Sequence, residues 1–155
     1  MSALKVFISY AHEDEQIKNQ LDKFLITLKR SNKIEVWQDR QIMAGDVWDE
    51  LIKQELTTAD IIILLVSIDF IASDYIWRNE LEIAMQRHEA GTARVIPVIA
   101  RACDWSGMPF RKLQALPTGG IPIENAINSD QVYTEISKSI REVVDYYNQK
   151  KEKGV

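Results

Sequence analysis

The chain has 155 residues, 46% of them hydrophobic and 27% charged, which suits one globular domain with a full core. Its formal net charge of −4 offers no electrostatic footprint for nucleic acid or an anionic membrane surface. The longest apolar run, 61–66, is too short to span a bilayer, nothing resembles a signal peptide, and the single cysteine, Cys103, excludes an intramolecular disulfide and fits a reducing cytoplasm.

In chain order, LKVFISY (4–10) reads as a first strand, and 14–31 carries Ile17, Leu21, Phe24, Leu25 and Leu28 at helical spacing. The cluster Lys29, Arg30 and Lys33 is favourable charge at that helix's C-terminus. IEVW (34–37) is a second strand, and the polar loop QDRQIMAGD leads to a helix over 47–58 with Asp46 as its N-cap. IIILLV (61–66) is apolar on both faces, as a central strand of a parallel sheet should be. A helix capped by Ser73 or Asp74 follows and ends at Gly91. RVIPVIA (94–100) is a fourth strand, although Pro97 cannot donate to a ladder. Residues 101–120 are irregular, IPI (121–123) is a short fifth strand, and 130–149 is a final helix with Val132, Ile136, Ile140, Val143, Val144 and Tyr147 on one face. The expected domain is 1–147, with the charged residues 148–155 as a linker or the start of a further region.

This alternation predicts an α/β, flavodoxin-like three-layer fold with a five-stranded parallel sheet in the order 2-1-3-4-5. Ligands of such sheets bind beyond the carboxyl ends of the strands where strand order reverses, here between strands one and three. The loops there are SYAHED (9–14) and SIDF (67–70), and the helix leaving the second contains SDYIWRNELEIA (73–84). With Ile76 set at zero and about 100° per residue, Trp77, Leu81, Ala84 and Met85 fall between about 80° and 180°, whereas Arg78, Glu82, Gln86 and Glu89 fall on the opposite arc. Glu80 falls at about 40°, inside the apolar stripe. A carboxylate there needs a partner, a cleft or a shifted pKa.

Several chemistries are missing. There is no G-x-G-x-x-G after the first strand, no P-loop and no G-x-S-x-G elbow. His12 and His88 have no cysteine or second histidine at metal-ligand spacing, so no metal site is expected. His88 reads as a satisfied boundary histidine and Cys103 as a small packed residue.

The segments VFISYAHED, WQDRQIMAGDVWDELI, LLVSIDFIASDYIWRNEL and RVIPVIARACDW, continued by FRKLQALPTGGIPI, resemble in order and spacing the Toll/interleukin-1 receptor (TIR) domain of bacterial proteins. The resemblance covers about residues 4–145. Many bacterial TIR domains cleave NAD at the nicotinamide–ribose bond, giving nicotinamide and ADP-ribose or a cyclic isomer. The resemblance therefore implies an NAD nucleosidase with NAD as substrate, no other cofactor, and Glu80 as the catalytic residue. By the same resemblance Tyr10, His12, Asp39, Ser67, Trp77 and Trp105 are substrate-binding candidates. The bland alternatives are edge packing for Tyr10, an Asx-turn for Asp39 and simple half-burial for Trp105. Ile42 to Trp48, with Ala44, Gly45 and Asp46, resemble the BB loop, which in the family mediates TIR–TIR contacts. Where many members have an aromatic four residues before the catalytic glutamate, this chain has Ile76. Ala44-Gly45 replaces the Pro-Gly of receptor BB loops, and the receptor Phe-Trp box is missing near the C-terminus, which favours a bacterial effector over a receptor adaptor. The implied setting is cytoplasmic anti-phage defence, with activation by self-association and a fused sensor domain, and no nucleic acid or membrane bound by this domain. The rivals are a non-catalytic TIR interaction module and a small nucleoside-processing or receiver-like flavodoxin-fold protein. A receiver needs an aspartate where Ser67 stands.

Overall fold

A computed structural model describes residues 3–37, 44–45 and 47–153. Strand β1 (Leu4–Ser9) leads through a short 3-10 turn to helices α1 (Glu15–Phe24) and α2 (Ile26–Arg30), then to β2 (Ile34–Val36) and α3 (Trp48–Thr58). Strand β3 (Ile61–Val66) is followed by α4 (Ile68–Ala72), α5 (Asp74–Ile76), a π-helical turn over Trp77–Leu81 and α6 (Glu82–Glu89). Strand β4 (Arg94–Ile99) and the long α7 (Ser129–Lys153) complete the order, α7 running past the expected end at 149.

Period-two alternation along the strands sends side chains to two separate cores. Leu4, Val6, Ile8, Ile61, Ile63 and Leu65 pack with Leu21, Leu25 and Leu28 of α1–α2 and Ile136, Ile140 and Val144 of α7. Phe7, Ile62, Leu64 and Val66 pack instead with Ile52 and Leu56 of α3, Phe70 of α4, and Ile76, Leu81 and Ala84 of the α5–α6 rod. The product is a parallel sheet with helices on both faces. Lys29 and Arg30 fall in the last turn of α2, as expected, whereas Lys33 lies beyond it; Lys29 pairs with Asp22, and Lys33 reaches Asp145 at 2.8 Å.

Among the described residues the sheet has four strands, ordered β2-β1-β3-β4 and all parallel, not the five expected. IPI does not pair: Ile121 is exposed, and Ile123 opens a 3-10 turn. Pro122 cannot donate, and three residues are too few to replace that loss. The edge of β4 is met one turn earlier, where Leu116 N–H donates to Pro97 O at 2.9 Å and Ile99 N–H donates to Leu116 O at 2.8 Å. Pro97 thus directs its carbonyl, and the side of its missing N–H, away from β3. The proline therefore leaves the β3–β4 ladder intact.

Candidate active site

The cleft forms where the topology places it, beyond the ends of β1 and β3. It encloses about 540 Å³ and is lined by Tyr10 and His12 after β1, by Trp48 of α3, and by Tyr75, Ile76 and Glu80 of the α5–α6 rod. Its size falls within the usual range for small-molecule sites.

Glu80 is 7% exposed. Ser9, the last residue of β1, is buried and donates its hydroxyl to Glu80 Oε1 at 2.8 Å. Two local features aim the carboxylate here. Ser73 caps the rod, accepting from Ile76 N–H at 3.2 Å, so the cap is Ser73 and not Asp74. The π-turn then inserts one extra residue, a distortion that recurs at functional sites.

A second polar group binds the neighbouring loops together. Asp14, 1% exposed, accepts hydrogen bonds from Ser67 Oγ and, at 2.7 Å, from Arg101 Nε. Arg101 also donates to Asp69, on the cleft rim. The hydrogen bond to Asp14, followed by that to Asp69, holds the guanidinium above its ordinary range. Three loops, after β1, β3 and β4, are thereby pinned to one cation.

On the wall that carries Glu80, Tyr75 donates to Asp49 Oδ1 at 3.0 Å. Burial, then that hydrogen bond, pushes the phenol above its usual value. Trp37 stacks on Phe7 at a centroid distance of 5.6 Å and lines the floor.

A family model described as "TIR domain" matches residues 6–142. The chain belongs to the TIR domain family. The TIR domain is also 49% identical over 137 residues to a Sinorhizobium fredii (strain NBRC 101917 / NGR234) protein named "Uncharacterized protein y4lF". That match takes in 88% of this chain and 42% of the relative, so the TIR domain spans under half of the relative's length.

The fold brings together Glu80, Tyr10, His12 and Trp48, of which Trp48 was expected only in the BB loop. It does not bring Trp77 or Trp105 to the cleft. Trp77 lines a separate groove with Leu81, Met85 and Pro109, and Trp105 stacks on Phe110 at 6.5 Å beside Cys103 and Arg111. Ser67 lies beneath the site, fully buried, its hydroxyl engaged by Asp14 and by the N–H of Phe70, which it caps at 3.1 Å. Ala44 and Gly45 form an exposed turn in which Gly45 takes φ +93, a conformation that L side chains resist. Asp39, Ile42 and Asp46 lie outside the described residues. His88 is satisfied as expected, its Nδ1 accepting from Val95 N–H at 3.1 Å.

Sequence reasoning missed Ser9, Asp14, Tyr75 and Arg101. For Ser9 a signal was present: it shares a face with Phe7, which makes it a polar residue aimed inward from a central strand.

Proposed function

We propose that this TIR domain cleaves NAD at the bond between nicotinamide and ribose. The observation that carries the reading is Glu80, a buried carboxylate held by Ser9 and lining a cleft at the reversal of strand order. The reaction needs one such group. As the bond from ribose C1′ to the pyridinium nitrogen breaks, its electron pair moves to nitrogen, and nicotinamide leaves neutral without taking a proton. That removes the need for the acid required in ordinary glycoside hydrolysis. The ribose acquires oxocarbenium character, which the Glu80 carboxylate stabilises electrostatically, more strongly for being partly desolvated. Water then adds to C1′ and releases a proton, giving ADP-ribose. Attack from within the same molecule, also with loss of a proton, gives a cyclic isomer.

Tyr10 and His12 are suited to the nucleotide end of the substrate, at the loop after β1. The setting that fits is a cytoplasmic effector in bacterial anti-phage defence, switched on by self-association and fused to a sensor. The rhizobial relative's greater length is in keeping with a fused region.

Clustered TIR domain incubated with NAD should release nicotinamide, read by chromatography, and Glu80→Gln should abolish the release. No release under clustering, or equal release from the variant, would sink the catalytic assignment. What remained would be a TIR–TIR interaction module in which Glu80 is structural.

A further inference from the structure

Two rings in the cleft have no explanation in the core. Trp48, in the first turn of α3, remains 48% exposed while lining the cleft. Tyr75 lies against it, with ring centroids 4.9 Å apart and planes tilted by 36°. The hydrogen bond from Tyr75 to Asp49 joins that ring to the residue following Trp48, so the pair is braced from both ends. Tyr75 immediately precedes Ile76 on the wall that also carries Glu80.

The electrostatics of this wall favour one kind of ring. Glu13 and Glu80 line the cleft together with Asp69, whose charge Arg101 already meets, and His12 is the basic lining residue among those described. Indole attracts a cation over its face more strongly than the other aromatic side chains do. A planar ring carrying positive charge is therefore drawn both by the indole and by the carboxylates around it. Trp77 cannot fill this role, since it lines another groove.

We propose that Trp48, braced by Tyr75, is the stacking surface for the cationic pyridinium ring of the substrate. The proposal rests on the NAD reading above and adds to it the residue that selects the ring. It has a mechanistic corollary. Cleavage discharges the pyridinium, so the attraction that holds substrate is lost for the neutral product. Removing an interaction that is stronger in the bound substrate than in the transition state raises KM and does not lower kcat, which rises to the extent that the attraction is lost on the way to the transition state.

The probe is 1-methylnicotinamide, which keeps the charge and lacks ribose, compared with neutral nicotinamide. Binding is followed by saturation-transfer NMR titration of the same chain. The wild type should bind the cation about fivefold more tightly than nicotinamide, and Trp48→Ala should erase that preference. Trp48→Phe should keep part of it, and Trp77→Ala all of it. Because Trp48 is half exposed, circular dichroism of Trp48→Ala should match the wild type; Trp48→Phe, which preserves a ring, carries the test should it not. Equal binding of the cation by wild type and Trp48→Ala overturns the proposal, as does a wild type that binds neither compound or shows no preference for charge. Nicotinamide release from NAD separates this outcome from the parent reading. Release with KM unchanged in Trp48→Ala overturns the stacking role alone. Trp48-dependent binding of the cation without any release from NAD overturns the catalytic reading alone.

Discussion

Asp14 and Glu80 are two buried carboxylates at one edge of the same sheet, and each accepts a hydrogen bond from a serine at the end of a central strand. Ser67 follows β3 and serves Asp14; Ser9 ends β1 and serves Glu80. They part company in what else they meet. Asp14 is paired with Arg101, which goes on to Asp69, and it does not line the cleft. Glu80 does line it. Burial of a carboxylate thus carries no functional message by itself. An ion pair that ties loops together and an acid that faces a cavity look alike in exposure and differ in access.

That contrast can be broken from either side. The largest expected effect is on chemistry: Glu80→Gln should lower nicotinamide release by about a thousandfold or more, as loss of a transition-state charge stabiliser does, while leaving the melting temperature nearly unchanged. A change in stability with rate intact would place Glu80 beside Asp14 as a structural acid. Asp14→Ala should do the reverse and destabilise the fold by about 2 kcal/mol in urea titration, because the buried Ser67 hydroxyl and the Arg101 guanidinium both lose an acceptor. The double change Asp14→Ala with Arg101→Ala should cost less than the two single changes summed, since the pair fails as a unit. Ser9→Ala sharpens the comparison further. It should slow turnover by about tenfold with the melting temperature little changed, since the carboxylate loses the donor that orients it. Turnover unchanged would show that Ser9 serves only packing.

Smaller still is a pH effect on stability at Tyr75. Its folded value lies above the ordinary 10.0. Above that pH the unfolded chain sheds the proton and the folded chain retains it, so stability falls as pH rises. Urea midpoints of Tyr75→Phe should therefore decline less between pH 9 and about 11 than those of the wild type. Equal declines would mean that the phenol feels no special environment.

How far all this was legible depends on the range of each interaction. The helical phase of 73–84 marked Glu80 as misplaced because apolar periodicity is a local property. Over the same stretch the phase failed for Trp77. With one residue inserted by the π-turn, Ile76 takes the angle reckoned for Trp77, and Trp77 takes the one reckoned for exposed Arg78. No local residue pattern announces a π-turn. The fifth strand failed for another reason: IPI has strand composition, but the backbone at Leu116 reaches β4 instead. The Asp14–Arg101 pair spans 87 residues, and nothing near either residue pointed to the other. The sheet order was readable up to β4 because hydrophobic runs and crossovers leave few alternatives.

The Ser9–Glu80 bond also has a consequence in time. Its partners are 71 residues apart, with α3 and the whole of β3 between them in the chain. Contacts of such separation pay their loop-closure entropy before they return any stabilisation. The cleft should therefore assemble late, after β1 and β3 have paired and Arg101 has arrived from beyond β4. In pulsed hydrogen exchange during refolding, amides of the Trp77–Leu81 turn should gain protection after those of β1 and β3. Earlier protection there would mean that the turn forms without the strand that anchors it. A chain interrupted before β4 would hold Glu80 and lack the loops that frame it, so the cleft would stay incomplete until synthesis has passed Arg101.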